Sequence, residues 1–207
     1  MNAWVSWALK AALAVFIVQG AIGWWRDRPV SAPAGVLAPA EPLQEDIEGA
    51  SPVAHGRWLL TPRAHYDITA RVLGRERYRL DPLAGLVPVD LALGWGPMSD
   101  GRMLAALDIE QSARFYTVHW PANAPLTPTE ILRHSANTHT IPRDRWVERA
   151  LEHLRRGEVV RLVGQLVDAR RDDGMRIRTS LTREDSGAGA CEVMLVESVE
   201  RVAVQRP

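Results

Sequence analysis

The chain holds 207 residues, with 25 basic and 25 acidic side chains and a formal net charge of zero. That balance removes the strongest compositional argument for a nucleic-acid partner. Lys10 is the only lysine, the arginines are interleaved with acids as on a solvated surface, and the single cysteine, Cys191, excludes an intramolecular disulfide.

The stretch from Trp4 to Trp25 is apolar apart from Ser6, Lys10 and Gln19, and Arg26 and Arg28 come directly after it. A bilayer core of about 30 Å needs roughly 20 helical residues, and terminal tryptophans suit the headgroup interface. Residues 1–28 are therefore expected to form a transmembrane anchor, with residues 4–25 in the lipid bilayer. Lys10 sits where its stem reaches the nearer interface by snorkelling. A cleaved signal peptide is the rival, since Ala21 and Gly23 form a small-x-small site, but the bulky Trp24 and Trp25 directly after it argue against cleavage. The amino terminus and Lys10 favour a cytoplasmic start against the pull of Arg26 and Arg28, which places the rest of the chain outside the cytoplasm.

Residues 29–57 carry Pro29, Pro33, Pro39, Pro42 and Pro52 together with Glu45, Asp46 and Glu48. With few large apolar side chains, this stretch is expected to be an extended tether, rising about 3.1 Å per residue in polyproline geometry. The alternative is an ordered arm in which Val36 and Leu37, or Leu43 and Ile47, dock on the domain.

Residues 58–207 suffice for one domain with its own core. The runs His65–Leu73, Val87–Trp95, Arg114–Trp120, Val159–Val167, Arg176–Leu181 and Cys191–Val199 are short, rich in β-branched or aromatic residues and bounded by turn residues, which predicts strands. Ser99 and Asp100 open one short helix. Thr127, Pro128 and Glu130 form a capping box for a second, through Arg133. Asp144 caps a third, whose apolar stripe is Trp146, Val147, Ala150, Leu151 and Leu154, with Gly157 as its stop. Gly164 marks a bulge or bend, and Asp172-Asp173-Gly174 a hairpin. The expected class is mainly β (α+β): a bent antiparallel sheet or a small OB-like barrel with two or three helices.

Three polar segments stand out: Gly94 to Asp100, read as a tight turn with a buried Trp95; His134 to Pro142, read as a loop between two helices; and Ser180 to Cys191, leading into the last strand. The runs Gly94-Trp95-Gly96-Pro97-Met98-Ser99, His134-Ser135-Ala136-Asn137 with His139 and Ile141-Pro142, and Ser180 to Cys191 resemble those of a family of single-span, membrane-anchored bacterial proteins. The resemblance covers the chain from about residue 60 onward. It implies a bacterial origin and a membrane anchor, and it brings no activity with it.

The chemistry must be read from side chains. His134 and His139, with Cys191 or Asp185, hold the donor types of a Zn²⁺ set. Their spacing is not that of H-E-x-x-H and no Cys-x-x-Cys accompanies them, so structural histidines are the simpler reading and no metal or cofactor is expected. Ser135, Ser180 and Ser186 lack a nucleophile elbow. Cys191, at the start of an apolar strand, reads as a small buried hydrophobe, and Asn137 as a turn former. Gly187-Ala188-Gly189 with Arg183 has the makings of an anion cradle but lacks the lysine and helix of a P-loop. The candidate ligand set is therefore His134, Asn137, His139, Arg183, Asp185, Gly187 and Gly189, with no catalytic residue, and the second and third segments are expected to meet at one end of the sheet. The functional reading is a non-catalytic binding or assembly module, anchored in the bacterial inner membrane with its domain in the periplasm and an envelope protein as partner. The alternative is an envelope hydrolase or metal-dependent enzyme built on the His134/His139 and Arg183/Asp185/Cys191 segments.

Overall fold

The structure is a computed structural model that describes residues 3–31, 33–187 and 189–204. It opens with α1 (Ala3–Arg26), a helix of 24 residues. Several of its side chains, Ser6, Gln19, Trp24, Trp25 and Arg26 among them, lie outside that description, as does Ala188 of the glycine-rich connection. Among the described residues no helix is long and apolar enough to cross a membrane.

Beyond α1 the chain is β-rich. After β1 (Leu43–Asp46) and β2 (Val53–His55), the long β3 (Trp58–Arg77) is joined by β4 (Val89–Gly94), β7 (Ser135–Pro142), β8 (Val159–Arg171) and β10 (Glu192–Val202). Pairing runs from β3 to β4, β4 to β7, β7 to β10, β10 to β8 and back from β8 to β3. Five strands thus close into a barrel whose one parallel pairing is β7 with β10. Alternation sends one face of each strand inward. Ala64, Tyr66, Ile68, Ala70 and Val72 of β3 share a single apolar cluster with Leu91 and Leu93, Val160, Leu162 and Leu166, and Met194 and Val196.

Gly164 lies at a bulge, as expected, but the extra residue is on the partner strand β10. A Cβ there would lie 2.0 Å from Leu195 O, at the point where β10 bulges between Val196 and Ser198. The Asp172–Gly174 hairpin forms with Gly174 at φ 92°, but its second strand is only β9 (Arg176–Ile177). A separate hairpin, β5 (Asp108–Ser112) and β6 (Phe115–His119), is inserted between β4 and β7. It turns through Ala113 and Arg114 at φ 48° and 70°, a conformation that costs of order 1–3 kcal/mol per non-glycine residue.

The three expected domain helices are present: α2 (Gly101–Leu104) capped by Asp100, α3 (Pro128–Arg133) with its Thr127/Glu130 capping box, and α4 (Arg145–Glu152) capped by Asp144. The stripe of α4 needs correction. Val147, Leu151 and Leu154 are buried in the barrel cluster, whereas Trp146 is 63% exposed with Arg145 and Arg149 against its ring. At 3.6 residues per turn, Trp146 lies about 100° round from Val147, beyond the edge of the buried face.

Two larger corrections concern polar sequence. Residues 135–142 are not a loop but β7, a strand held between β4 and β10. Its small or β-branched residues tolerate such a position, and Thr140 Oγ1 donates to Val89 O. The expected tether is likewise replaced by the docked arm. Asp27 pairs with Arg75 and Arg77, Val30 N donates to Arg156 O, Ala38 is fully buried, and β1 adds antiparallel to β3. The turn Gly94–Asp100 is what holds this arm. Gly96 N donates to Ala38 O, Ser99 Oγ accepts from Leu37 N and Ala38 N, and Asp100 Oδ1 accepts from Gly35 N. Backbone groups too polar to leave unpaired thus find partners on the domain.

Candidate functional site

A cavity of about 400 Å³ opens where β7 and β10 begin. Its apolar wall comes from the inserted hairpin and α3: Phe115, Val118, Trp120, Ile131 and Leu132. Its polar wall comes from Asn137, Cys191 and Glu192 at the strand starts and from Arg183 and Asp185 in the connection between β9 and β10. That connection is tied down, since Ser180 N donates to Cys191 O, Val193 N to Thr179 Oγ1, and Ser180 Oγ to Asp185 Oδ2 at 2.7 Å.

Glu192 follows the inward register of Met194 and Val196, so its carboxyl enters the barrel. Burial pushes it up to about 8 and Asp185 adds to the rise, while its own backbone N–H, Arg183 and His139 pull the other way. Among the described residues Oε2 has no hydrogen-bond partner. The Arg183 guanidinium lies 5.8 and 5.7 Å from the Tyr66 and Trp95 rings, with Nε also unpartnered. Burial raises Tyr116 to about 12, against a pull from Ser135. Its hydroxyl, outside hydrogen-bond geometry with Ser135, remains a donor in the wall.

Behind Cys191 lies a second polar group. Asp90, fully buried on β4, has Oδ1 3.0 Å from Arg114 Nη1 and 2.9 Å from His139 Nδ1. The latter is an ion-pair contact off the line of a good hydrogen bond, leaving Nδ1 without a formal partner. Arg114 Nη2 also donates to both carboxylate oxygens of Asp81, and the guanidinium stacks 3.8 Å from the Tyr78 centroid. Burial opposes charge on His139, but Asp90 and the sulfur of Cys191 outweigh it and push the imidazole up to about 9. Asn137 joins the two groups: Oδ1 accepts from Gln111 Nε2 at 2.8 Å, while Nδ2 donates to Arg114 O at 2.9 Å and to Cys191 Sγ at 3.4 Å.

The second and third polar segments therefore meet, and Asn137, Arg183, Asp185 and Gly187 line one cavity with Cys191. His139 stands just behind it. His134 does not take part: its ring bonds Glu130 O and faces Glu41 at 3.4 Å, near the docked arm. The zinc set is thereby split, and no metal-holding group of three occurs among the described residues. Of the anion cradle, Arg183 and Gly187 line the cavity, Gly189 is not among the lining residues, and Ala188 lies outside the described residues. Asn137 is a paired strand residue, not a turn former, and Cys191 is only half-buried. Sequence reasoning missed Glu192, Asp90, Tyr116 and the reach of Arg114. The signal for Glu192 was its place in the same alternating register as Met194 and Val196, a charge in line with core residues. Comparison with known proteins adds no relative: the chain matches no family, no curated protein and no solved structure.

Proposed function

We propose that this protein is a membrane-anchored, extracytoplasmic binding module built on an OB-type barrel, whose cavity receives a small amphipathic ligand with an oxygen-acceptor head. The cavity carries this reading. Its volume falls within the range of small-ligand sites, and its polar wall is rich in donors, Arg183, Tyr116 and the protonated Glu192, above a largely apolar wall. Donors without a protein partner favour a carbonyl, ester or carboxylate oxygen, and the aromatic and aliphatic wall favours an apolar tail. The OB reading draws support from the closed five-strand circuit, and in such barrels the second and third strands and the loop between the last two form the usual binding face.

The anchor is α1. Its full sequence holds one charge, Lys10, between Trp4 and Trp25, and 24 residues at about 1.5 Å each exceed a bilayer core of about 30 Å. Because Asp27 and Val30 are already docked on the barrel, the domain is held against the bilayer face rather than at the end of a long tether. The bilayer here is the bacterial inner membrane, the domain faces the periplasm, and an envelope protein or lipid product is the natural source of the ligand.

Two measurements test this reading. Alkaline phosphatase fused to the C-terminus should be active; activity from a cytoplasm-dependent reporter instead would refute the orientation. Butyranilide, a short acyl amide, should raise the melting temperature of the full chain in mild detergent, and the cavity-filling Leu132→Trp should remove that shift. A shift that persists in the variant, or none in the wild type across a series of acyl anilides, would remove the cavity as the binding site.

A further inference from the structure

We propose that Cys191 is the nucleophile of an acyl-transfer centre in which His139 moves the proton, Asp90 positions His139, and the cavity holds the acyl group of an ester or thioester. The inference deepens the binding reading and rests on it. Its basis is geometric. Cys191 lines the cavity two residues before Val193, the β10 partner of His139, Asp90 Oδ1 lies 2.9 Å from Nδ1 of that ring, and the same oxygen meets Arg114 Nη1 at 3.0 Å. The order acid, imidazole, sulfur, cavity is that of an activated nucleophile, recognised by roles rather than by sequence position. Burial opposes the charged imidazole, but Asp90 and the sulfur push it up to about 9, and in the proposed reacting form the proton shared with the thiol lies on this ring.

The chemistry balances without a cofactor. The sulfur attacks the acyl carbonyl carbon, forming a C–S bond as the carbonyl π electrons move to oxygen. Asn137 Nδ2 gives one hydrogen to Arg114 O and directs the other toward Sγ, so it stands beside the carbon where that oxyanion develops. Collapse breaks the bond to the leaving alcohol or thiol, which takes the proton from His139. Water then attacks the thioester as neutral His139 accepts its proton, and collapse breaks the C–S bond, returning the electron pair to sulfur and releasing the carboxylic acid. The net reaction is hydrolysis of the ester. The strained Ala113-Arg114 turn fits this role, since it delivers the arginine that clamps Asp90.

The test uses the full chain in mild detergent with p-nitrophenyl acetate, butyrate and hexanoate. The wild type should release a burst of nitrophenolate and carry an acyl group on Cys191 by peptide mass spectrometry. Cys191→Ser, which preserves volume, should abolish the thioester, and His139→Gln should lower acylation by roughly 100-fold or more. Asp90→Asn should lower the acylation rate while butyranilide binding is kept, which separates positioning from folding. Leu132→Trp should slow butyrate and hexanoate more than acetate, unlike a merely exposed thiol. Butyranilide binding without any adduct on Cys191, or the same acylation rate in His139→Gln, would overturn the proposal and leave the binding reading intact. Loss of butyranilide binding in the wild type would remove both.

Discussion

The region of the barrel beneath α4 and the region where β7 and β10 begin are built from the same strands to opposite standards. Beneath α4, Val147, Leu151 and Leu154 join the apolar cluster, and the carbonyls at the end of α4 find a donor: Arg75 Nη1 bonds both Glu152 O and Leu154 O. At the other region, Glu192 Oε2, Arg183 Nε, Asp90 Oδ2 and Arg114 Nε are buried without a hydrogen-bond partner among the described residues. Each such group costs about 1–3 kcal/mol when left unmade. The difference separates roles: one region supplies stability, and the other sacrifices some of it to keep polar groups around a cavity.

The largest expected effect lies beneath α4. Leu151 is fully buried, so Leu151→Ala should cost about 2–5 kcal/mol in denaturant unfolding. Glu152→Ala, one residue on and outside the buried face, should stay within about 0.5 kcal/mol because only its backbone oxygen is used. Comparable losses at the two positions would mean that α4 does not seal the barrel, and the contrast between the regions would fail.

The same contrast explains which parts were legible in the sequence. Elements signalled by local chemistry were readable: the capping box at Thr127 and Glu130, the cap at Asp144, the bulge at Gly164 and most of the apolar strands. Elements defined by distant partners were not. β7 looks like a polar loop because Ser135, Asn137, Thr138 and His139 find their neighbours on β4, β10 and the inserted hairpin, up to 54 residues away in the case of Cys191. The arm after α1 looks like a tether because its anchoring groups, Ser99 and Asp100, lie more than 60 residues downstream. For the site, Asn137, Arg183 and Asp185 were legible as unusual polar residues near turns. Glu192 and Asp90 were not, since a buried carboxylate inside an apolar strand declares itself only once the register is known.

At acid pH the smallest effect on stability, and across the pH range the sharpest, is expected at Glu192. Its folded-state value is raised from 4.5 to about 8, so the folded protein keeps a proton that the unfolded chain gives up. Stability from this group is complete below 4.5 and falls as pH rises toward 8. His139, raised from 6.5 to about 9, acts in the same direction: its contribution is complete below 6.5 and is lost on the way to 9. The melting temperature should therefore decline from pH 4.5 to 9, most steeply between 6.5 and 8, where the two windows overlap. Glu192→Gln has the shape and neutrality of the protonated acid without a proton to lose. It should leave stability below pH 4.5 within about 0.5 kcal/mol of the wild type and make the protein the more stable of the two above pH 8, leaving only the decline due to His139. The charges facing this carboxyl, Arg183, Asp185 and His139, are kept in the variant, so the comparison isolates the carboxyl together with its coupling to them. Parallel melting curves from pH 5 to 9 would show that Glu192 is ionised and paired in the fold, and the donor-rich character assigned to the cavity would have to be given up.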